Sequence, residues 1–271
     1  MKDQIDRTEA CPVATVRRVA AMLDLDPEHL RDGDPLPRGW HFIALGGETR
    51  RSALRADGFP GFGVPMPDLG LPRLLLAGRK VEYTGDLVVG ATVHRRSWVS
   101  KLDRKQTANG SAAMVTIRHE LNKTPDLPPA IVEEQTYILL GPATDRASPV
   151  RPTEAPSGEY QKTLLPDETL LFQYSALGFN SHKIHIDRDY ARNVEGLPDL
   201  VVNGGLTTLL LTEFMRLDVG VTPARLSVKH KAPLYCGRQI TLTASQEVDT
   251  WKLKVHDDTG VVAVDAEIHA R

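Results

Sequence analysis

Period-two alternation dominates the last third of the chain. Leu226, Val228 and His230, then Ile240, Leu242 and Ala244, then Trp251, Leu253 and Val255, then Val262, Val264, Ala266 and Ile268 alternate with polar neighbours. That rhythm predicts four strands, each with one wet face. Just before them, the segment GGLTTLLLTEFMRL places Leu206, Leu209, Leu210, Phe214 and Leu217 on one helical face, and Leu211 and Met215 widen the stripe. A helix this apolar requires burial nearly all round. The first half repeats the order more faintly. An amphipathic segment with Val13, Val16, Val19, Ala20 and Leu23 precedes strand-like runs near Leu74–Tyr83, Thr92–Val99, Ala112–Leu121 and Val132–Leu140. Between the halves, Gly141–Gly158 holds four prolines and no apolar period, which marks a linker.

A sheet with a single apolar face must cover something. A buried helix followed by an antiparallel meander predicts a sheet wrapped around that helix, the hotdog fold. The same order on both sides of a linker predicts an α+β double hotdog, with two half sheets paired edge to edge. The expected domains are residues 1–145, a linker over 146–160, and residues 161–271.

Composition narrows the function. Of 271 residues, 41% are hydrophobic and 25% charged, enough apolar material for proper cores. A formal net charge of -2, with Lys and Arg dispersed, supplies no basic field for nucleic acid or an anionic membrane. Cys11 and Cys236 lie far apart without metal-ligand spacing, so no disulfide framework is implied. The arginines within the N-terminal apolar stretch differ from a secretory signal, and no run reaches the ~20 apolar residues that cross a bilayer. A reducing, cytoplasmic setting is the expectation.

Candidate chemistry concentrates in Phe172–Tyr190, FQYSALGFNSHKIHIDRDY, which packs Asn180, His182, His185 and Asp187 into eight positions just upstream of the buried helix. Polar groups this dense beside Leu177, Phe179, Ile184 and Ile186 are costly unless they serve one another or a ligand. On residue type alone, three readings stand: satisfied histidines at an element end, a metal site from His182, His185 and Asp187, or an acid–base site.

The segment resembles the active-site motif of the MaoC-like (R)-specific enoyl-CoA hydratases, Ser/Thr-Gly-Asp-x-Asn-Pro-x-His-x-Asp. His185 takes the place of the catalytic histidine, Asn180 that of the catalytic aspartate and Asp187 that of the trailing acid. It is more similar to the subgroup of 3-methylfumaryl-CoA hydratase and mitochondrial type-2 hydroxyacyl-thioester dehydratase, whose Tyr-Ser-Ala-Leu-Thr-Phe-Asn-x-His-x-Ile-His is reproduced from Tyr174 to His185 with Gly178 for threonine. His41-Phe42, Gly58-Phe59-Pro60, Pro72-Arg73, Ala77-Gly78-Arg79 and His119-Glu120 look like that subgroup's degenerate N-terminal hotdog. Leu200–Gly204 and Ala232-Pro233-Leu234 continue the likeness, with Asn203 where a histidine and Gly205 where a proline is customary.

The resemblance implies reversible hydration of an α,β-unsaturated acyl thioester, with coenzyme A as part of the substrate and no metal, flavin or nicotinamide. His185 and Asn180 are the expected catalytic pair. Tyr174, Phe179, His182, Asn203, Gly204 and Gly205 are expected to bind substrate, and Arg73 and Arg79 to meet the coenzyme A phosphates. A homodimer is a further expectation. The first choice is an enoyl-CoA such as a methylfumaryl-CoA. An (R)-3-hydroxyacyl-ACP or -CoA dehydratase of fatty-acid or polyketide metabolism is the alternative within the class, and two alternatives from other classes remain open. One is a hotdog thioesterase using a carboxylate on the central helix, where Glu213 is the acid available; the other is a non-catalytic acyl-thioester-binding protein.

Overall fold

The computed structural model describes residues 4–107, 110–142 and 151–271. The chain runs β1 (Ile5–Ala10), α1 (Val13–Met22), β2 (Arg73–Tyr83), β3 (Thr92–Thr107), β4 (Gly110–Asn122) and β5 (Ile131–Leu140). It continues through β6 (Tyr160–Leu164), α2 (Glu168–Leu177), α3 (Arg188–Asn193), α4 (Gly204–Phe214), β7 (Pro223–His230), β8 (Ile240–Glu247), β9 (Thr250–His256) and β10 (Val262–Ala270). Residues 143–150 of the expected linker lie outside the described residues. From 151 to 158 no helix or strand forms, and Thr153 bridges to Val261.

The strands join one antiparallel sheet in the order β1-β3-β4-β5-β2-β7-β10-β9-β8-β6. Five neighbouring strands precede residue 143 and five follow residue 150, so the two half sheets meet at β2 and β7. There Arg79 lies opposite Val228 and Gly78 opposite Lys229. Gly78 is demanded by that joint, because a Cβ would stand 2.6 Å from the Val228 carbonyl oxygen. This is the double hotdog that the alternation predicted.

Every residue from Leu206 to Phe214 in α4 is buried, as a helix apolar on all sides requires. Leu217 departs from the expected stripe and is 47% exposed. The helix opens into a π turn over Met215–Val219, and the wider turn rotates Leu217 off the inner face. From the first half, α1 adds Val16, Val19, Ala20 and Met22 to the same apolar cluster, together with Trp40 and Phe42. Trp40 also donates its indole N–H to Glu213 at 2.8 Å, and Glu213 pairs with Arg216 at 2.5 Å. The acid of the central helix is thus committed to tying the halves together. No helix among the described residues is long and apolar enough to cross a membrane.

The first half buries a polar network. Glu133, wholly inaccessible, meets His41 at 2.5 Å and Arg79 at 3.4 Å. Gln135 donates to it at 2.6 Å, and nearby Ser97 contacts His119 Nδ1 at 2.8 Å. The Arg79 charge and the His41 contact hold the Glu133 carboxyl well below the usual carboxylate range against its burial. Burial pushes His119 down from 6.5 to about 4.

Two outcomes follow. Glu213→Ala leaves a buried indole N–H without an acceptor and lowers unfolding free energy by about 2 kcal/mol, while Glu213→Gln, which keeps an acceptor, loses less; urea denaturation reads the difference. Below pH 6.5 the unfolded chain binds a proton at His119 that the folded chain refuses until about 4, so stability falls with pH across that window. His119→Gln flattens that decline in pH-dependent melts, and an unaltered slope would contradict the assignment.

Candidate active site

Helix α2 starts at Asp167, whose carboxylate accepts from Leu170 N–H at 2.8 Å, as an N-cap should. It ends at Gly178, and Phe179 turns the chain at φ 48. Asn180 N–H then bonds back to the Ser175 carbonyl at 2.8 Å. The Asn180 side-chain oxygen accepts from His182 N–H at 3.1 Å. A backbone N–H can only donate, so the amide oxygen is occupied and the Nδ2 donors are left for the cavity that Asn180 lines.

His185 follows in a 3-10 turn over Lys183–His185. Its Nδ1 lies 2.7 Å from the Val201 carbonyl. A carbonyl can only accept, so Nδ1 carries the proton and the neutral ring offers its Nε2 lone pair. Burial and the neighbouring His182 push the His185 pKa down to about 3. The ring is 8% exposed and in the cavity wall. His182 stands edge-on to it, centroids 5.4 Å apart, and burial takes its pKa to about 4.

The first half clamps this motif. Lys183 N–H donates to the Asp57 carbonyl and the Lys183 ammonium to the Ala56 carbonyl, both at 2.8 Å, while Ser181 donates to Gly58 at 2.7 Å. Asp57 also lies 3.7 Å from His182 Nε2. Asp187 turns away to accept from Tyr190 N–H at the start of α3. Among the described residues no group of three His, Cys, Asp or Glu is placed to hold a metal, so His182, His185 and Asp187, the trio of the competing metal reading, are not brought together as ligands.

Asn203 precedes α4 without capping it. Its amide donates to Ser175 Oγ at 3.2 Å and leaves its own oxygen buried without a partner. The first N–H groups of α4 have no acceptor within the helix and open at Gly204 and Gly205 onto the cavity. A Cβ on Gly205 would fall 2.1 Å from the Tyr174 hydroxyl, so a bare backbone is needed beside that ring. Tyr174 stacks on Phe42 at 4.7 Å.

The cavity is about 370 Å³. Tyr174, Asn180, His182, His185, Asn203, Gly204, Gly205 and Arg79 all line it. Two expected substrate contacts lie elsewhere. Phe179 is 63% exposed and does not line the cavity, since its left-handed backbone swings the ring outward. Arg73 bonds Glu195 at 2.7 Å, which holds it away from the cavity. Arg79, expected at a phosphate, is instead nine-tenths buried beside Glu133. Cavity residues that sequence reasoning passed over are Tyr137, His230, Arg151 and Lys231. His230 falls in register with Leu226 and Val228 on the apolar face of its strand, and at that position the face meets the cavity.

The family model "Hydroxyacyl-thioester dehydratase type 2" matches residues 39–236. The chain is 31% identical to mesaconyl-C(4)-CoA hydratase of Chloroflexus aurantiacus, over 97% of this chain and 95% of that one. It is 28% identical to the mitochondrial hydroxyacyl-thioester dehydratase type 2 of Schizosaccharomyces pombe over 32% of this chain and 30% of that protein. Among solved structures, HtdX of Mycobacterium tuberculosis shares the fold with a TM-score of 0.68 at 18% identity, covering 99% of this chain and all of the other. A MaoC-like dehydratase from Phytophthora capsici does so with a TM-score of 0.71 at 14% identity, covering all of this chain and 96% of the other. With a full-length relative and a family model that spans both halves, the chain belongs to the hydroxyacyl-thioester dehydratase type 2 family of hydro-lyases.

Proposed function

We propose that this chain reversibly hydrates an α,β-unsaturated acyl-CoA, with His185 as the acid–base group and Asn180 as the water-positioning group. The observation that carries the proposal is a neutral, buried imidazole whose Nε2 is left unprotonated by the Val201 bond, beside a free amide donor in the same cavity. The Asn180 Nδ2–H holds a water oxygen, and His185 Nε2 removes one of its protons as the oxygen adds to the β-carbon. Electron density moves to the thioester oxygen, where the Gly204 and Gly205 N–H groups at the positive end of α4 stabilise it. The imidazolium then returns its proton to the α-carbon, giving the 3-hydroxyacyl thioester; dehydration is the reverse.

In this reading residues 161–271 carry the chemistry, and residues 1–145 shape the acyl pocket through Phe59, Leu74, Leu76 and Tyr137. Arg151 and Lys231, also in the cavity wall, supply positive charge for the coenzyme A phosphates. Glu213, which a thioesterase mechanism would need, is bound to Trp40 and Arg216 and lies outside the cavity. The activity of the Chloroflexus relative makes a methylfumaryl thioester the substrate of first choice.

His185→Ala is expected to lower kcat by about 10³-fold or more in a continuous assay of enoyl-CoA absorbance, and Asn180→Ala by about 10²-fold with KM little changed. Unchanged turnover in His185→Ala would remove the proposal. Burial and the neighbouring His182 push the pKa of the base down to about 3, so kcat/KM should stay level from about pH 8 down to about pH 5, with no acid limb at the ordinary histidine value of 6.5.

A further inference from the structure

The reaction as written leaves one charged side chain in the cavity wall without a task. Arg79 is nine-tenths buried yet lines the same cavity as His185. Its Nε stands 3.4 Å from Glu133 without forming a hydrogen bond, and its terminal nitrogens form none among the described residues. Glu133 is meanwhile shared with His41 at 2.5 Å and Gln135 at 2.6 Å, so its lone pairs are divided among three neighbours. A buried guanidinium with open N–H groups is costly unless a further acceptor arrives.

A second donor stands close to the guanidinium, beside Gly205. Arg79 Nη2 lies 3.4 Å from the position that a Cβ on Gly205 would take, and the Tyr174 hydroxyl lies 2.1 Å from the same point. Burial raises Tyr174 to about 12, so the phenol stays protonated and donates. Two donors, one of them a planar cationic fork, converge at the start of α4, a few residues along the chain from the Val201 carbonyl that orients His185. Fork plus hydroxyl is a donor set matched to a carboxylate.

We propose that Arg79 and Tyr174 form a carboxylate subsite, so that the acyl group this cavity selects is a short unsaturated dicarboxylic acid esterified to the thiol at one end only. The proposal rests on the hydratase reading for its double bond, but the subsite can be tested without turnover. Succinyl-CoA and butyryl-CoA are saturated, unreactive and alike in length, and differ in the terminal carboxylate. Their dissociation constants are measured by calorimetry on the wild type, on the double variant Arg79→Met with Glu133→Gln, and on Tyr174→Phe. The double variant removes both buried charges together, because loss of the arginine alone would strand Glu133. Tyr174→Phe keeps the stack on Phe42 should the double variant fail to fold.

The wild type is expected to bind succinyl-CoA about ten- to hundredfold more tightly than butyryl-CoA. The double variant should bring that ratio close to one, and Tyr174→Phe should lower it less. A ratio near one in the wild type, or one unchanged in the folded variants, overturns the proposal. If Arg79 served the thioester carbonyl instead, both ligands would weaken alike and the ratio would hold, which also overturns it. A strong preference for succinyl-CoA in a protein that hydrates no enoyl-CoA would leave the subsite standing and remove the reaction. Failure to bind either thioester would remove both.

Discussion

The hydrogen bond between His185 Nδ1 and the Val201 carbonyl, 2.7 Å long, decides which face of the imidazole meets the cavity. Burial keeps the ring neutral, and the carbonyl selects its tautomer, so the basic lone pair points where a water could be held. That one contact joins three parts of the chain. The 3-10 turn presents the ring, the stretch before α4 supplies the carbonyl, and the residues after Val201 become the helix start that lines the cavity. The return bond from Val201 N–H to the Ile184 carbonyl, 2.9 Å, locks the two segments in register.

The first half is more than a cover for this arrangement. Its loop around Asp57 and Gly58 holds Ser181 and Lys183 by backbone and side-chain bonds, which fixes the turn on which His185 rides. Its strand β2 meets β7 at the seam of the sheet, where Gly78 lets the backbones approach. Trp40 reaches the central helix through Glu213. The site is therefore a product of both halves, and the ion pair of Arg79 with Glu133 extends the cavity wall into the first half sheet.

Much of this was legible from residue order. Of the eight longest strands, the four of the second half were recognisable by strict alternation and the four of the first half as runs that alternate or are rich in β-forming residues, and α4 because nearly every position is apolar. The sheet's two edge strands, β1 and β6, were not recognised. They are short, and an edge strand that packs on one neighbour carries a weak pattern. Helix α2 was hidden for the opposite reason: ETLLFQYSAL is apolar without a clear stripe, and its polar sequel drew the reading toward chemistry. Asn180 and His185 could be placed by the Tyr174–His185 match. The carbonyl that sets the tautomer and the loop that clamps the turn could not, since both are backbone groups with no residue signature. Phe179 and Arg73 share sequence neighbourhoods with cavity residues, but one positive φ and one ion pair direct them elsewhere. Arg79 was expected at a phosphate because nothing in its neighbours foretold Glu133, which is fifty-odd positions away and adjacent only through the pairing of β2 with β5.

The central claim concerns a proton on one nitrogen, and nitrogen chemical shifts observe it directly. In protein labelled with ¹⁵N at histidine, His185 assigned by comparison with His185→Ala should show a protonated Nδ1 and an unprotonated Nε2 at about pH 7, and hold that pattern down to about pH 5. An Nε2-protonated tautomer, or an imidazolium already formed at about pH 6, would contradict the account.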